Sequence, residues 1–307
     1  MAAWDETVLK AQPGANFMQS STWARFREQS PWRARTKRMQ TTDGDGFDYQ
    51  SFSRRAPGLG VLEHAPRLTG MTDALVPEFT EHVRASADRR AVAFKLELYQ
   101  SHDEALLQTF LGHGWQHARP TQYRNAVAVD LRGTAADIQQ QFKKRARYEV
   151  RVAERMGVVV ERVPLTAENM ALMLSLVGEV KQRSGAFFRK EEYLKSCWRT
   201  FDRSGNGRLY FASHEQQIIC GAFITTFGKQ AWYKDGGSLR VKTEMMAPRY
   251  MHWRIMTDLQ SEGFERYELG NIPSPEVAST SSMAGLFTFK TGFSQVTEQY
   301  LPALELP

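Results

Sequence analysis

Hydrophobic and polar positions along this chain follow two periods, and the period changes from segment to segment. Alternation of period two predicts strands over residues 32–39, 49–53, 92–98 and 123–131. Apolar residues three and four apart predict helices over 75–87 and 103–112. A short helix carrying Trp23, Phe26 and Arg27 is expected after Ser20, Ser21 or Thr22, each a good capping residue. Two Asp/Gly pairs near 43–46 mark a hairpin turn. In the second half the pattern predicts a helix over 134–156, stopped by Gly157, and a strand over 158–160. Helices over 169–184 and 191–201 follow, then three antiparallel strands over 208–213, 217–227 and 229–234. A long amphipathic helix over 244–263, a strand at 267–269 and a Pro- and Ser-rich loop over 270–284 lead to a last strand over 296–301. Helices and strands alternate in both halves, with many short turns. That order predicts an α+β protein of two domains with mixed sheets. The expected boundaries are 1–133, 134–294 and a C-terminal strand within 295–307 that returns to the first domain.

The stretch Gly285-Leu-Phe-Thr-Phe-Lys-Thr-Gly-Phe293 stands out. Its alternation reads as a strand with Phe287, Phe289 and Phe293 on one face and Thr288 and Lys290 on the other. A lysine set among aromatics can have its ammonium held in a partly dry place, where it could neutralise charge appearing on a reacting carbonyl oxygen. The plainer reading is a lysine at a strand end reaching for water.

Charge changes the picture at one helix. Lys143, Arg147, Arg151 and Arg155 recur every four residues and form a cationic stripe on the helix expected over 139–156, with Lys144 beside it. Phe142, Ala146, Val150 and Ala153 form the apolar seam. Such a stripe can follow a phosphate backbone; Arg145, Glu149 and Glu154 offer ordinary intrahelical pairs instead. The whole chain, with 40 Lys and Arg against 34 Asp and Glu, carries +6 and suits a polyanionic partner. Its 307 residues suffice for two cores, and no apolar run is long enough for a transmembrane helix. The acidic start, Met1-Ala-Ala-Trp-Asp-Glu, lacks a secretory h-region, and two lone cysteines, Cys197 and Cys220, suit a reducing compartment; the expected location is the cytoplasm.

Familiar site motifs are missing. No P-loop, no Gly-x-Gly-x-x-Gly after a strand and no Gly-x-Ser-x-Gly elbow occurs. His113 and His117 are four apart but span a Gly-Trp break, so no metal site is expected. His64, beside Pro66 and Arg67, fits a cleft or the surface. In Trp232-Tyr-Lys-Asp-Gly-Gly-Ser238, the glycines allow close backbone approach, Tyr233 can line a groove and Asp235 could accept a proton from an amine. Asp-Gly is also a standard turn pair. Lys181, Arg183 and Phe187 close a helix, where cations suit either the helix end or a diphosphate.

Several segments together resemble the Fem aminoacyltransferase family. Gln19-Ser20-x-x-Trp23 resembles its opening motif, and 145–158 its basic helix followed by Gly-Val. The segments VKQRSGAFFRKEEYL, AWYKDGGS, YMHWRIMTDLQSEGFERYELGN and GLFTFKTGF are similar to its later motifs in order and spacing. The resemblance implies two tandem domains of the GNAT acyltransferase type, without the coiled-coil arm of some members. It implies transfer of an amino acid from aminoacyl-tRNA to an amine of a peptidoglycan precursor (lipid II or UDP-MurNAc-pentapeptide), building interpeptide bridges. No cofactor is implied, because the aminoacyl ester is already activated. On this resemblance Phe289 and Lys290 fall at the catalytic Phe-Lys position. Arg27 and Arg183 fall where cations meet the precursor phosphates, and Tyr233 near a substrate-contacting tyrosine. Trp23, His64, Arg67 and Phe187 join the substrate-binding set, and Lys143, Lys144, Arg147, Arg151 and Arg155 the tRNA-binding set. A monomer with a peripheral membrane contact is the matching expectation. Two departures bear on the acceptor. Ala65-Pro-Arg-Leu-Thr-Gly70 stands where the family often has Pro-Arg-Gly-Pro, and Arg27 replaces a lysine. Related enzymes acylate natural-product intermediates. Two rivals differ in class: an acetyl-CoA-dependent N-acetyltransferase, for which residues 241–250 lack the glycines of a pyrophosphate loop, and a non-catalytic RNA-binding module.

Overall fold

The computed structural model describes residues 2–42, 44, 46–58, 60–86, 90–184 and 189–307. The chain divides into two compact units, one of Met1–Arg124 with Gln299–Pro307 and one of Asn125–Glu298.

The first unit runs α1 (Ala2–Ala11), α2 (Ser21–Arg27), β1 (Arg33–Gln40), β2 (Gly46–Ala56), β3 (Gly60–Leu68), α3 (Leu75–Ser86), β4 (Ala91–Leu98), α4 (Glu104–Gly112) and β5 (Gln116–His117). Ser20 caps α2 by accepting from the Trp23 amide at 3.1 Å, and Asp103 caps α4 through Ala105 and Leu106. The sheet order is β1-β2-β3-β4, then the C-terminal strand Leu304–Leu306, then β5. Leu304 pairs with Leu96 on one side and His117 on the other, so the chain's last strand closes this sheet. Tyr49, Phe79, Phe94, Phe110 and Trp115 fill the core, with the Trp115 indole donating to Thr80 Oγ1 at 2.8 Å.

The second unit runs β6 (Asn125–Asp130), α5 (Ala135–Gln140), α6 (Lys144–Arg155), β7 (Val159–Val163), α7 (Ala167–Ser184), α8 (Glu191–Arg203), β8 (Gly207–His214), β9 (Gln217–Phe227), β10 (Gln230–Ser238), α9 (Ala247–Ser261), β11 (Arg266–Ile272), α10 (Ala284–Lys290) and β12 (Thr297–Gln299). Its sheet order is β12-β6-β11-β10-β9-β8-β7. β6, which the sequence places at the end of the first domain, pairs with β11 here, with Val127 and Val129 buried in this core.

Three predicted elements differ. The last strand, expected over 296–301, is two short ones: Thr297–Gln299 lies beside β6 in the second sheet, and Leu304–Leu306 is the one that returns to the first. The single helix over 134–156 is two. Gln141 leaves the helix to bond the Asp130 amide and carbonyl at 3.0 and 2.7 Å, and Lys143 is extended, donating its amide to the Gly292 carbonyl at 2.9 Å. The expected strand around Lys290 is α10, a seven-residue helix. Its alternating phenylalanines also fit helical spacing, because Leu286, Phe289, Lys290 and Phe293 are three and four apart. The Thr291 amide and hydroxyl both bond the Phe287 carbonyl at 2.9 Å and settle the choice. The turn residues Asp43 and Asp45 lie outside the described residues. Among the described residues, no helix is long and apolar enough to cross a membrane.

Candidate functional site

In the second unit, β10 and β11 run parallel, but only Gln230–Trp232 pair with Arg266–Glu268. A bulge follows on each strand, between Tyr233 and Asp235 on β10 and between Glu268 and Gly270 on β11. Lys290 projects from α10 into the place where the two strands part. Its ammonium donates to the Asn271 carbonyl at 2.9 Å and lies 5.7 Å from the centre of the Tyr233 ring. Only 6% of Lys290 is exposed. Burial pulls its pKa down to about 8, opposed by the negative charge of Glu268.

A neutral histidine stands beside Tyr233, against two more aromatic rings. The His252 ring centre lies 4.6 Å from that of Tyr233, 5.6 Å from Phe289 and 5.5 Å from Phe293. His252 Nδ1 shares a 2.9 Å hydrogen bond with the Tyr267 hydroxyl. Burial, then the charges of Arg249 and Lys290, push its pKa down to about 3, so it is uncharged near neutrality. Burial likewise raises the Tyr233 phenol above its ordinary value. His252 is absent from the sequence-predicted set. Its only sequence signal is one polar residue on the buried side of a long helix, the same signal a core histidine gives.

The apolar seam predicted for the basic helix is buried as expected, with Phe142, Ala146, Val150 and Ala153 in the core beneath α6. Lys143, Lys144, Arg151 and Arg155 are exposed; Arg147 is half-buried and bonds the Phe142 carbonyl at 2.7 Å. The Lys143 ammonium lies 3.4 Å from Thr291 Oγ1. The start of the cationic stripe therefore touches the residue that follows Lys290.

Other predicted residues have local partners. Asp235 accepts from the Trp198 indole at 2.8 Å and lies 3.3 Å from the Lys234 ammonium, so its carboxylate ties α8 to β10. The glycines after it serve packing, not ligand approach: a Cβ on Gly237 would lie 2.3 Å from the Leu176 backbone, and one on Gly236 1.8 Å from the Tyr233 hydroxyl. Arg183 is exposed and bonds the Ser238 carbonyl at 3.0 Å. Phe187 lies outside the described residues. Cys197 and Cys220 are free, buried thiols, and among the described residues no cluster of His, Cys, Asp and Glu could hold a metal.

In the first unit, Arg27 lies over the rings of Trp32 and Trp23, at 4.7 and 5.9 Å, and Trp23 itself is buried in the core. His64 Nε2 meets Glu97 Oε2 at 2.8 Å. Burial lowers the His64 pKa, against the opposing pull of the Glu97 carboxylate. Burial opposes ionisation of Glu97, but the hydrogen bond and charge of His64 and hydrogen bonds from the Thr121 hydroxyl and amide outweigh it and hold the group at about 2. The Gln122 amide adds another at 3.0 Å. Arg67 adopts φ 53° and packs on Tyr300 and Tyr99 while bonding the Tyr123 carbonyl at 2.7 Å. Its guanidinium thus holds the returning C-terminal segment. Because the Glu97 pKa is depressed, its stabilisation is present above the unfolded value of 4.5 and fades as pH falls toward 2. Glu97→Gln is expected to be less stable than wild type by roughly 2–3 kcal/mol at pH 6, with the gap roughly halved at about pH 3 and closing only toward pH 2 in urea unfolding.

Comparison with known proteins follows the same outline. A model described as "Acetyltransferase (GNAT) domain" matches residues 140–276. The aminoacyltransferase FemB of Staphylococcus epidermidis is 21% identical, over 82% of this chain and 78% of its own. The crystal structure of FemX superposes with a TM-score of 0.83 at 17% identity, covering 99% of this chain and 95% of that one. The chain is Fem-like in sequence and in fold. The GNAT-domain match falls within the second unit; both units are α+β with mixed sheets, and no coiled-coil arm is present among the described residues. The structure of L-PGS from Bacillus licheniformis shares this fold more loosely, with a TM-score of 0.54 at 15% identity over 99% of this chain and 91% of that one.

Proposed function

We propose that this Fem-like chain is an aminoacyltransferase that moves an amino acid from aminoacyl-tRNA to an amine of a peptidoglycan precursor. The observation that carries this reading is Lys290: a buried ammonium, poised between two parting strands and adjoining a cationic helix. The names of the FemB relatives support it. In the reaction, the acceptor amine attacks the ester carbonyl and the ribose oxygen leaves. Lys290 stabilises the oxyanion of the tetrahedral intermediate or the departing alkoxide, with little competing water. Orientation of two large substrates supplies much of the remaining acceleration. With Asp235 engaged by Trp198, the proton of the attacking amine leaves through the substrates themselves.

An acyl-CoA donor fits less well. Pro248 lies in the first turn of α9 and offers no amide hydrogen, and the residue before that helix is Met246, at φ 51°. A glycine-lined approach to a pyrophosphate is therefore missing from this helix start.

Incubation with charged tRNA pools and either UDP-MurNAc-pentapeptide or lipid II, with products weighed by mass spectrometry, tests the reading. One added aminoacyl residue on the precursor is expected; tRNA binding with no acylated amine would replace it with an RNA-binding module. The exposed cations of α6 are expected to meet phosphates. Replacing Lys144, Arg151 and Arg155 by Ala lowers the slope of log affinity for tRNA against log salt by roughly 2–3, one counterion released per lost contact.

A further inference from the structure

Arg249, in the first turn of α9, is 7% exposed and makes contacts that the proposed reaction does not use. Its Nε donates to Glu149 Oε2 at 2.9 Å, and its Nη1 donates to the Phe289 carbonyl at 2.6 Å. The guanidinium also lies 4.4 Å from the ring centres of both Phe289 and Phe293. Glu149 belongs to the basic helix α6, where its other oxygen accepts from Arg145 at 2.9 Å. The Phe289 carbonyl belongs to the peptide bond that joins Phe289 to Lys290.

We propose that Arg249 is a positioning residue for Lys290: anchored on Glu149, it fixes the Phe289–Lys290 peptide and with it the place of the ammonium against Asn271 and Tyr233. Three features support this. A buried ion pair is poor value as a stabiliser, since apolar residues of similar volume usually do as well or better. What a guanidinium adds is a planar fork that can direct one donor at a carboxylate and another at a carbonyl. The chain also keeps room for it, because a Cβ on Gly292 would lie 2.6 Å from Nη1. A second tether acts in the same direction: the Lys143 amide holds the Gly292 carbonyl at 2.9 Å. The start of α6 and the turn that ends α10 are thus tied together, which links Lys290 to the helix whose exposed face carries the cations.

The proposal rests on the role assigned to Lys290 but is tested without substrate. The readout is the pH titration of the Lys290 side-chain resonances in isotope-labelled protein, assigned by their loss in Lys290→Met. Two mild variants are used. Arg249→Lys keeps a cation beside Glu149 but cannot reach both partners, and Gly292→Ala displaces the guanidinium without altering any charge. In wild type Lys290 titrates near 8. In either variant the midpoint is expected to rise by about one unit or more as the ammonium gains water, a ~10-fold loss of neutral amine at pH 7. Arg249→Met is expected to move it at least as far wherever it folds. Variants that retain the wild-type fold and an unchanged Lys290 titration would overturn the assignment. A shifted titration in a protein that transfers nothing would leave the positioning role intact and remove the transfer reading.

Discussion

Lys290→Met is expected to abolish transfer and, at the same time, to stabilise the protein near neutral pH. On the proposed role, removing the Lys290 ammonium costs about 10²–10³-fold or more in turnover, the usual effect of removing such a donor. The gain in stability follows from the same burial. The folded pKa of about 8 lies below the ordinary 10.5, so confining the protonated amine costs roughly 3 kcal/mol. Methionine removes that cost but forfeits the charge-assisted hydrogen bond to the Asn271 carbonyl, worth ~1.5–3 kcal/mol. A net gain of up to about 1.5 kcal/mol at pH 7 results, visible as a higher denaturant midpoint. The sign reverses with pH in a defined window. Between about 8 and 10.5 the unfolded chain holds this proton and the folded one does not, so wild-type stability rises with pH from this group. Lys290→Met lacks that slope, and its advantage disappears toward pH 10.5. A variant less stable than wild type at pH 7, or one that still turns over, contradicts the account of this side chain.

The second large effect is expected at the Glu149–Arg249 pair. Both side chains are nearly buried, 11% and 8% exposed, and 2.9 Å apart. Removing either partner alone leaves the other charged in a dry place, so Glu149→Met or Arg249→Met costs ~3–5 kcal/mol. The double substitution restores most of that loss, because it removes both charges together. Urea unfolding of the four proteins gives the coupling directly. Independent, additive losses would mean that the two charges do not depend on each other.

What could be read from the sequence was local. The seam of Phe142, Ala146, Val150 and Ala153 is a helical repeat that needs no knowledge of its partner, and it faces the core as predicted. The three antiparallel strands after Asn206 are short-range pairings joined by tight turns, and they too were legible. Elements whose form depends on distant groups were not. Gln141 ends α5 because it finds Asp130, and α10 is helical although its alternation fits a strand, because Thr291 claims the Phe287 carbonyl. At the site, Lys290 could be picked out by its aromatic neighbours in the chain. Asn271, Tyr233 and Glu268, which meet its ammonium or oppose its loss of charge, are brought there by folding alone. Glu149 shows the limit well. Its bond to Arg145 is the intrahelical pair expected from the spacing, while its bond to Arg249 joins residues with no sequence relation.

The central claim, that the Lys290 ammonium acts on the reacting ester, is tested most directly by single-turnover transfer followed as a function of pH alongside the titration of Lys290 itself. The account predicts an upper limb on which transfer falls as Lys290 loses its proton, centred near 8. Transfer that continues undiminished through pH 9.5, while the same sample shows Lys290 neutral, would contradict it.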